Sequence, residues 1–400
     1  MPGTVLTYLD KFGNISFSEH PLNDVDSLIL SQFSYLKFDG MVPVLGEGKP
    51  AVCMDDLVNH PDFERLFADE RFEKDNRAMF QRMVNSTRYH GMKMNFFVNV
   101  VEKEWETQFS AITFFLDDGS IYVAFRGTDE TLVGWKEDFN MAFLSPVPGQ
   151  KFSEKYLTEV AELFDGPFYV GGHSKGGNLA VYSAMCAKEA IQDRIIKVYC
   201  MDGPGFREEV LKEKHYERIA PKVEKLLPHS SVVGMLLQRD TNYKVVESKN
   251  IGLAQHDPFS WIVRNNEFVD AKAVYEGRRI MNEAINDWVL SLKEDQLRTI
   301  VNTLYTIVQA SKAEDLIAMM ADKKKSINGM LEAMKEVDKD TQKAIWEIVK
   351  LFFEVTRDRT RTEAKETLQR ITAKNAAKGG ARREKSSKRP DVPDATGLLK

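Results

Sequence analysis

Phe168-Tyr169-Val170-Gly171-Gly172-His173-Ser174-Lys175-Gly176-Gly177-Asn178-Leu179-Ala180 is the stretch that decides how this chain reads. An apolar run enters a glycine-rich turn with a serine at its apex, and helix-compatible residues follow from Asn178 to Met185. The pattern is strand, tight turn, helix, the only setting in which Gly-x-Ser-x-Gly carries meaning. A serine on so sharp a turn takes a strained backbone conformation, and side chains on its neighbours would collide with the strand and the helix. Gly172 and Gly176 remove those collisions. Such a turn lifts the hydroxyl clear of the sheet and points a helix N-terminus at the reacting carbon.

The segments around this turn extend the same architecture. Upstream, Gln108–Leu116 and Ile121–Thr128 are two β-rich runs separated by Asp117-Asp118-Gly119-Ser120, a hairpin signature. Ser153–Phe164 reads as a helix before the turn, Asn178–Ala190 as the helix after it, and Ile195–Met201 as the next strand. Glu208–Leu227 is expected to be largely helical, with strands at Ser231–Leu237 and Tyr243–Val246. Nearer the N-terminus, the spacing predicts helices over Ser27–Leu36 and Phe72–Val84 and a strand over Asn95–Val101, while Thr131–Phe143 reads as loop and helix. Strands alternating with helices imply an α/β protein with a mainly parallel sheet, flanking helices and an antiparallel hairpin at its start.

After about residue 270 strand signals stop. Apolar stripes at helical spacing replace them: Ile285, Trp288, Val289 and Leu292; then Leu297, Ile300, Val301, Leu304, Ile307 and Val308; then Ile345, Trp346, Ile348, Val349, Phe352 and Phe353. These stripes are expected to bury against one another or the α/β core. From about Thr362 the chain turns Ala-, Lys- and Arg-rich. The expected organisation is an α/β domain over 1–270, an all-helical region over 271–372 and a disordered basic tail over 373–400.

Composition narrows the function classes. Of 400 residues, 43% are hydrophobic and 29% charged, and the net charge of −5 offers no argument for nucleic acid as a partner. The three cysteines, Cys53, Cys186 and Cys200, fit neither a zinc pattern nor a disulfide framework, and Cys186 and Cys200 are expected to be buried thiols. No secretory signal and no apolar run of membrane-spanning length is evident, so a cytoplasmic location is expected. Peripheral contact with a membrane stays open through the amphipathic helices. No metal or organic cofactor is indicated.

A serine nucleophile needs a base, an acid that orients the base and donors for an oxyanion. Of the seven histidines, His215, His229 and His256 follow Ser174. His215 sits in a charged helical stretch. His229 precedes the expected strand at Ser231, at the end that faces away from the active edge of a parallel sheet. His256 follows the last strand signals, where a base belongs when the chain order is serine, acid, histidine. Two aspartates compete for the acid: Asp240, just after the expected strand Ser231–Leu237, and Asp202, at the end of the strand before it. Asp257 is a weaker third, because its side chain points away from that of its neighbour His256. One oxyanion donor is the backbone N–H of Lys175. Thr128, in Phe125-Arg126-Gly127-Thr128, offers an N–H and a hydroxyl for the other.

Phe125-Arg126-Gly127-Thr128, Trp135 through Asp138 and Gly172–Ala180 together resemble the class 3 lipase branch of the α/β-hydrolases. Asp24–Gln32, Asp202–Phe206 and Gln255–Trp261 resemble a bacterial family of lipase-like proteins of unknown function. The likeness covers roughly residues 1–270. It implies an α/β-hydrolase fold with Ser174 as nucleophile, His256 as base, and Thr128 and Lys175 at the oxyanion hole. Lys175 stands where those lipases carry Leu, Asp202-Gly203-Pro204-Gly205 where they carry Gly-x-Pro-Arg, and the stretch around Asp240 lacks their Asp-x-Val-Pro. The expected activity is cleavage of a small-molecule or lipid carboxylic ester through an acyl-enzyme. The rivals are a catalytically silent protein that binds a partner through its helical C-terminal region, and an acyltransferase, thioesterase or amidase working with the same triad.

Overall fold

The Asp117–Ser120 turn forms as its sequence predicts. Gly119 takes a φ of 81°, and Asp118 Oδ1 accepts the Ser120 N–H at 2.9 Å. This turn joins β3 (Thr107–Phe115) to β4 (Ile121–Phe125) with Phe115 opposite Ile121 and Ala111 opposite Phe125. A computed structural model describes residues 2–68, 72–102, 107–128, 137, 140–141, 146–212, 214–231, 233–237, 242–274, 286 and 342, all within the compact unit Met1–Ile345. The other strands of the main sheet are β1 (Val52–Cys53), β2 (Lys93–Glu102), β5 (Phe168–His173), β6 (Ile195–Met201), β7 (Val223–Pro228) and β8 (Lys244–Val246). The eight strands lie in sequence order across the sheet. Pairings from β1 to β4 are antiparallel, and those from β4 to β8 are parallel. This is the mixed, mainly parallel α/β sheet the alternation implies.

Strand parity divides the core. Ile112, Phe114, Tyr122, Ala124, Tyr169, Tyr199 and Met201 face one side, where α1 (Val5–Phe12), α2 (Asp24–Phe33) and α3 (Glu73–Val84) pack. Phe109, Ala111, Ile121, Val123, Phe125, Val170, Val198 and Cys200 face the other, under the helices Pro148–Leu163 and Lys175–Cys186. Both faces are buried, which is why these strands read as apolar runs rather than alternating ones. Phe33 shows how tightly the first layer is set: its ring lies 5.3, 6.0 and 5.6 Å from those of Phe38, Phe80 and Phe114. Truncating such a ring to Ala costs about 3–5 kcal/mol.

Helix α2 begins at Asp24, three residues before the expected start at Ser27, because Asn23 caps it. Asn23 accepts from the backbone N–H groups of Val25 and Asp26, and Asp26 accepts in return from the Asn23 N–H. Asp26 is also a buried anion held by Arg88 in a two-pronged ion pair and by the hydroxyls of Tyr8 and Tyr89. Burial pushes both phenols well above their ordinary range, with the Asp26 charge adding to the effect.

Two expected elements differ from the structure. Glu208–Leu227 is not one helical stretch: helices cover Glu208–Leu211 and Lys214–Ile219, a 3₁₀ turn covers Ala220–Lys222, and β7 begins at Val223. Pro221 ends the helical run, because it has no N–H to donate and its ring crowds the preceding turn. Within the expected strand Ser231–Leu237, the described residues 233–237 form turns rather than a strand. There Ser231 Oγ accepts the Gly234 N–H at 3.1 Å, a local bond that competes with a strand ladder. Cys200 is buried as expected and burial raises its thiol pKa, whereas Cys186 is only half-buried. The apolar stripes beyond Val274 and the tail lie outside the described residues, apart from Asn286 and Gln342. Asn286 is buried against the α/β part, where its side chain accepts from the Leu237 N–H and donates to the Met235 carbonyl.

Candidate active site

Ser174 sits between β5 and the helix Lys175–Cys186 with φ 60° and ψ −133°, a left-handed conformation that side-chain-bearing residues rarely adopt. The turn is closed by contacts that only glycine permits. A Cβ on Gly176 would lie 2.1 Å from the Phe125 carbonyl oxygen, and one on Gly172 would lie 2.3 Å from the Gly176 backbone. Helix, β4 and β5 therefore meet backbone to backbone beneath the serine. The Ser174 N–H bonds the Met201 carbonyl at 2.9 Å, which ties the turn to the end of β6. The N-terminal end of the helix dipole favours negative charge beside Ser174.

Asp202 follows directly after β6. It takes a φ of 49°, which Asp tolerates better than most residues, and its N–H bonds the Leu226 carbonyl of β7. The next residue, Gly203, lies against the turn: a Cβ there would sit 2.7 Å from the Ser174 carbonyl oxygen. The Asp202 carboxylate is 1% exposed and fully engaged. Its Oδ1 accepts from Ser231 Oγ at 2.5 Å, and its Oδ2 lies 2.7 Å from His256 Nδ1. A carboxylate at Nδ1 holds the ring proton there and leaves the Nε2 lone pair as the base.

His256 ends a 3₁₀ turn, Gly252–His256, beyond β8. Its ring packs on that of His173, the residue before the serine, with centroids 4.4 Å apart. Gln255 braces the loop. Its side chain accepts from the Ser230 N–H and donates to the Asn250 carbonyl and to His229, while its own carbonyl accepts from Trp261 Nε1. The structure thus brings Ser174, Asp202 and His256 to the carboxyl edge of the parallel strands, where open α/β sheets place their sites.

The remaining sequence candidates sort as follows. Arg126-Gly127-Thr128 passes beside the serine: a Cβ on Gly127 would lie 2.6 Å from the His173 carbonyl and 3.1 Å from Ser174 Cβ. Thr128, half-buried, is the next residue along that strand end. Lys175 is the first helical residue, with its side chain turned inward. Asp240 lies outside the described residues. Asp257 caps a 3₁₀ turn through the Phe259 N–H, and His215 is exposed. His229 does stand at the active edge, because β7 is Val223–Pro228 and His229 follows it; the expected strand at Ser231 had placed it at the wrong end. Its ring meets Gln255 rather than Asp202, and burial lowers its pKa below the ordinary histidine value.

Two participants escape sequence reading. Ser231, in the segment expected to be a strand, donates to Asp202 Oδ1, and Glu137 is a buried carboxylate on Lys175 Nζ. The nearest sequence signal for Glu137 is its position inside the Trp135–Asp138 segment.

Among the described residues no helix is long and apolar enough to cross a membrane. An α/β sheet carrying a serine on a strained strand–helix turn, with an Asp–His couple beside it, defines the class. The family model for Mbeg1-like proteins matches residues 83–306, more than half of the chain, and the chain belongs to that family, a lipase-like one. No curated protein matches the chain.

Proposed function

We propose that the chain is an α/β-hydrolase that cleaves a carboxylic ester through an acyl-enzyme on Ser174. The observation that carries this reading is the His256 Nδ1–Asp202 Oδ2 contact of 2.7 Å beside a serine held at positive φ. Chain order supports it, since serine, acid and histidine follow one another as on an α/β-hydrolase sheet. Asp202 is then the acid in preference to Asp240.

Ser174 Oγ attacks the acyl carbonyl while His256 Nε2 takes its proton. Negative charge on the carbonyl oxygen is met by the Lys175 N–H and by Thr128, with the helix dipole behind them. The tetrahedral adduct collapses, and imidazolium returns the proton to the departing alcohol. Water, deprotonated by the same imidazole, then releases the carboxylic acid and restores the serine. Asp202 stays ionised throughout and stabilises the imidazolium.

The test is labelling of the intact protein with a fluorophosphonate, read by mass spectrometry, beside turnover of an ester panel. A Ser174 adduct that is absent in Ser174→Ala, together with ester turnover, is the expected result. A native protein with no adduct and no turnover refutes the reading. Turnover that appears only with added alcohol or thiol acceptors instead identifies an acyltransferase.

A further inference from the structure

Lys175 Nζ is 1% exposed and Glu137 fully buried, an unusual pair to find directly beneath a reactive turn. The ammonium has three acceptors: Glu137 Oε2 at 2.8 Å, the Gln108 carbonyl at 2.7 Å and Gln108 Oε1 at 2.9 Å. The carboxylate is filled in turn by the N–H of Gln108 at 3.2 Å and of Gly149 at 2.8 Å. Gln108 is the second residue of β3, and Gly149 lies in the first turn of the helix Pro148–Leu163. One ion pair therefore ties together the elbow helix, the start of β3 and the start of another helix.

We infer that the Lys175–Glu137 pair is a positioning device that sets the oxyanion donor at Lys175 relative to Ser174. This rests on the serine-hydrolase reading. Its logic is geometric. One donor is the backbone N–H of Lys175, the very residue whose side chain is clamped. A clamp between Lys175 and Glu137 restrains that donor from below, without either side chain touching substrate. Stability alone is a weak reason for such a pair, since well-packed neutral side chains of similar volume commonly do as well. A polar clamp has the added property of fixing direction: three hydrogen bonds set the Lys175 side chain in one place, where a leucine would only fill volume. A second clamp runs parallel to it, from Gln150 Nε2 to Asn178 Oδ1 and from Asn178 Nδ2 to the carbonyls of Pro204 and Gly205. That one joins the same helix to the loop after Asp202.

The test removes both charges at once, because deleting one would leave its partner buried and alone. In Lys175→Met/Glu137→Gln the glutamine can still accept from Gly149, and the backbone N–H at 175 remains. The variant and the wild type are compared by thermal melting, by fluorophosphonate labelling rate and by kcat and KM on one short-chain ester. The expected result is a folded variant with KM unchanged and with kcat and labelling rate lowered on the order of 10²-fold, the scale of losing one oxyanion donor. A folded variant that labels and turns over at the wild-type rate overturns the inference and leaves the serine-hydrolase reading standing. A loss that tracks the unfolded fraction overturns it too. A wild type that neither labels nor turns over refutes the hydrolase reading itself, and the inference with it.

Discussion

Asp202→Asn is the sharpest perturbation of the site, because the structure dictates how the new amide must orient. Ser231 Oγ accepts the Gly234 N–H at 3.1 Å, so the serine's own proton is committed to Asp202 Oδ1 at 2.5 Å. In the variant the amide oxygen must take that position and accept from Ser231. The NH₂ group is then turned towards His256 Nδ1, where Asp202 Oδ2 now lies at 2.7 Å. A donor facing Nδ1 forces the imidazole into the tautomer with its proton on Nε2, and the base that should receive the Ser174 proton is gone. Volume and the Ser231 contact are retained, so the fold is expected to lose no more than about 1–3 kcal/mol, the range for one disturbed buried polar contact. Turnover is expected to fall on the order of 10⁴-fold, about 5.5 kcal/mol of barrier, the effect that a wrong tautomer has in a serine–histidine–aspartate triad. The assay is kcat/KM on an ester that the wild type cleaves, corrected for folded fraction by circular dichroism, with Asp240→Asn measured alongside. A folded Asp202→Asn enzyme within about tenfold of wild type, which is only ~1.4 kcal/mol, refutes the assignment of the acid. If Asp240→Asn shows the large loss instead, the acid is Asp240.

Ser231→Ala leaves Asp202 Oδ1 short of a charge-assisted bond worth about 1.5–3 kcal/mol, so steady-state kinetics should show turnover lowered by roughly ten- to a hundredfold. Gly176→Ala drives a Cβ to 2.1 Å from the Phe125 carbonyl oxygen, and since neither backbone can yield, thermal melting should report a loss of at least about 1–3 kcal/mol together with loss of Ser174 labelling. Asp26→Asn breaks the buried pair with Arg88 far along the chain from the elbow. It should cost about 3–5 kcal/mol in denaturant unfolding while the folded fraction labels at the wild-type rate. His229 has a pKa lowered chiefly by burial, so the folded state binds its proton less readily than the unfolded chain. Its contribution to stability is complete above the ordinary histidine value and declines as pH falls through and below it; melting temperatures of His229→Gln should depend less on pH in that window than those of wild type.

Legibility in the sequence followed the range of the physical signal. The hairpin at Asp117–Ser120 and the elbow at Ser174 are local devices, each set by residues within a few positions, and each forms where its residues predict. The run from Glu208 to Leu237 failed because its outcome is decided at a distance. Leu226 and Leu227 look the same on a helical stripe as on a strand buried on two faces, and only pairing with β6 and β8 selects the strand. The misplacement of His229 followed from that one error, since shifting a strand moves its carboxyl end. Asp202 and Asp240 could not be separated from sequence because a triad acid is defined by the atom it touches. That atom, His256 Nδ1, arrives from 54 positions away. Glu137 was hidden for the same reason: a lone glutamate in a charged segment reads as solvated until its cation is found.

Lys175 changes meaning most between sequence and structure. In sequence it stands directly after the serine proposed as nucleophile, where class 3 lipases carry leucine, and argues against a simple lipase. The side chain does not reach the mouth. It runs into the core and ends on Glu137 and Gln108, so the difference lies beneath the elbow rather than in front of it. Substrate preference is therefore not to be sought at position 175. It belongs to whatever lines the approach to Ser174 from the sheet edge, where Tyr35 already stands close, its hydroxyl 3.4 Å from the His173 carbonyl. A Lys175 variant should consequently leave the ranking of esters by acyl length unchanged while lowering the rate on all of them. A Tyr35 variant should reorder that ranking. Profiling both variants on the same ester series separates the two effects, and a reordered ranking in Lys175→Met/Glu137→Gln would place the lysine in the substrate's path after all.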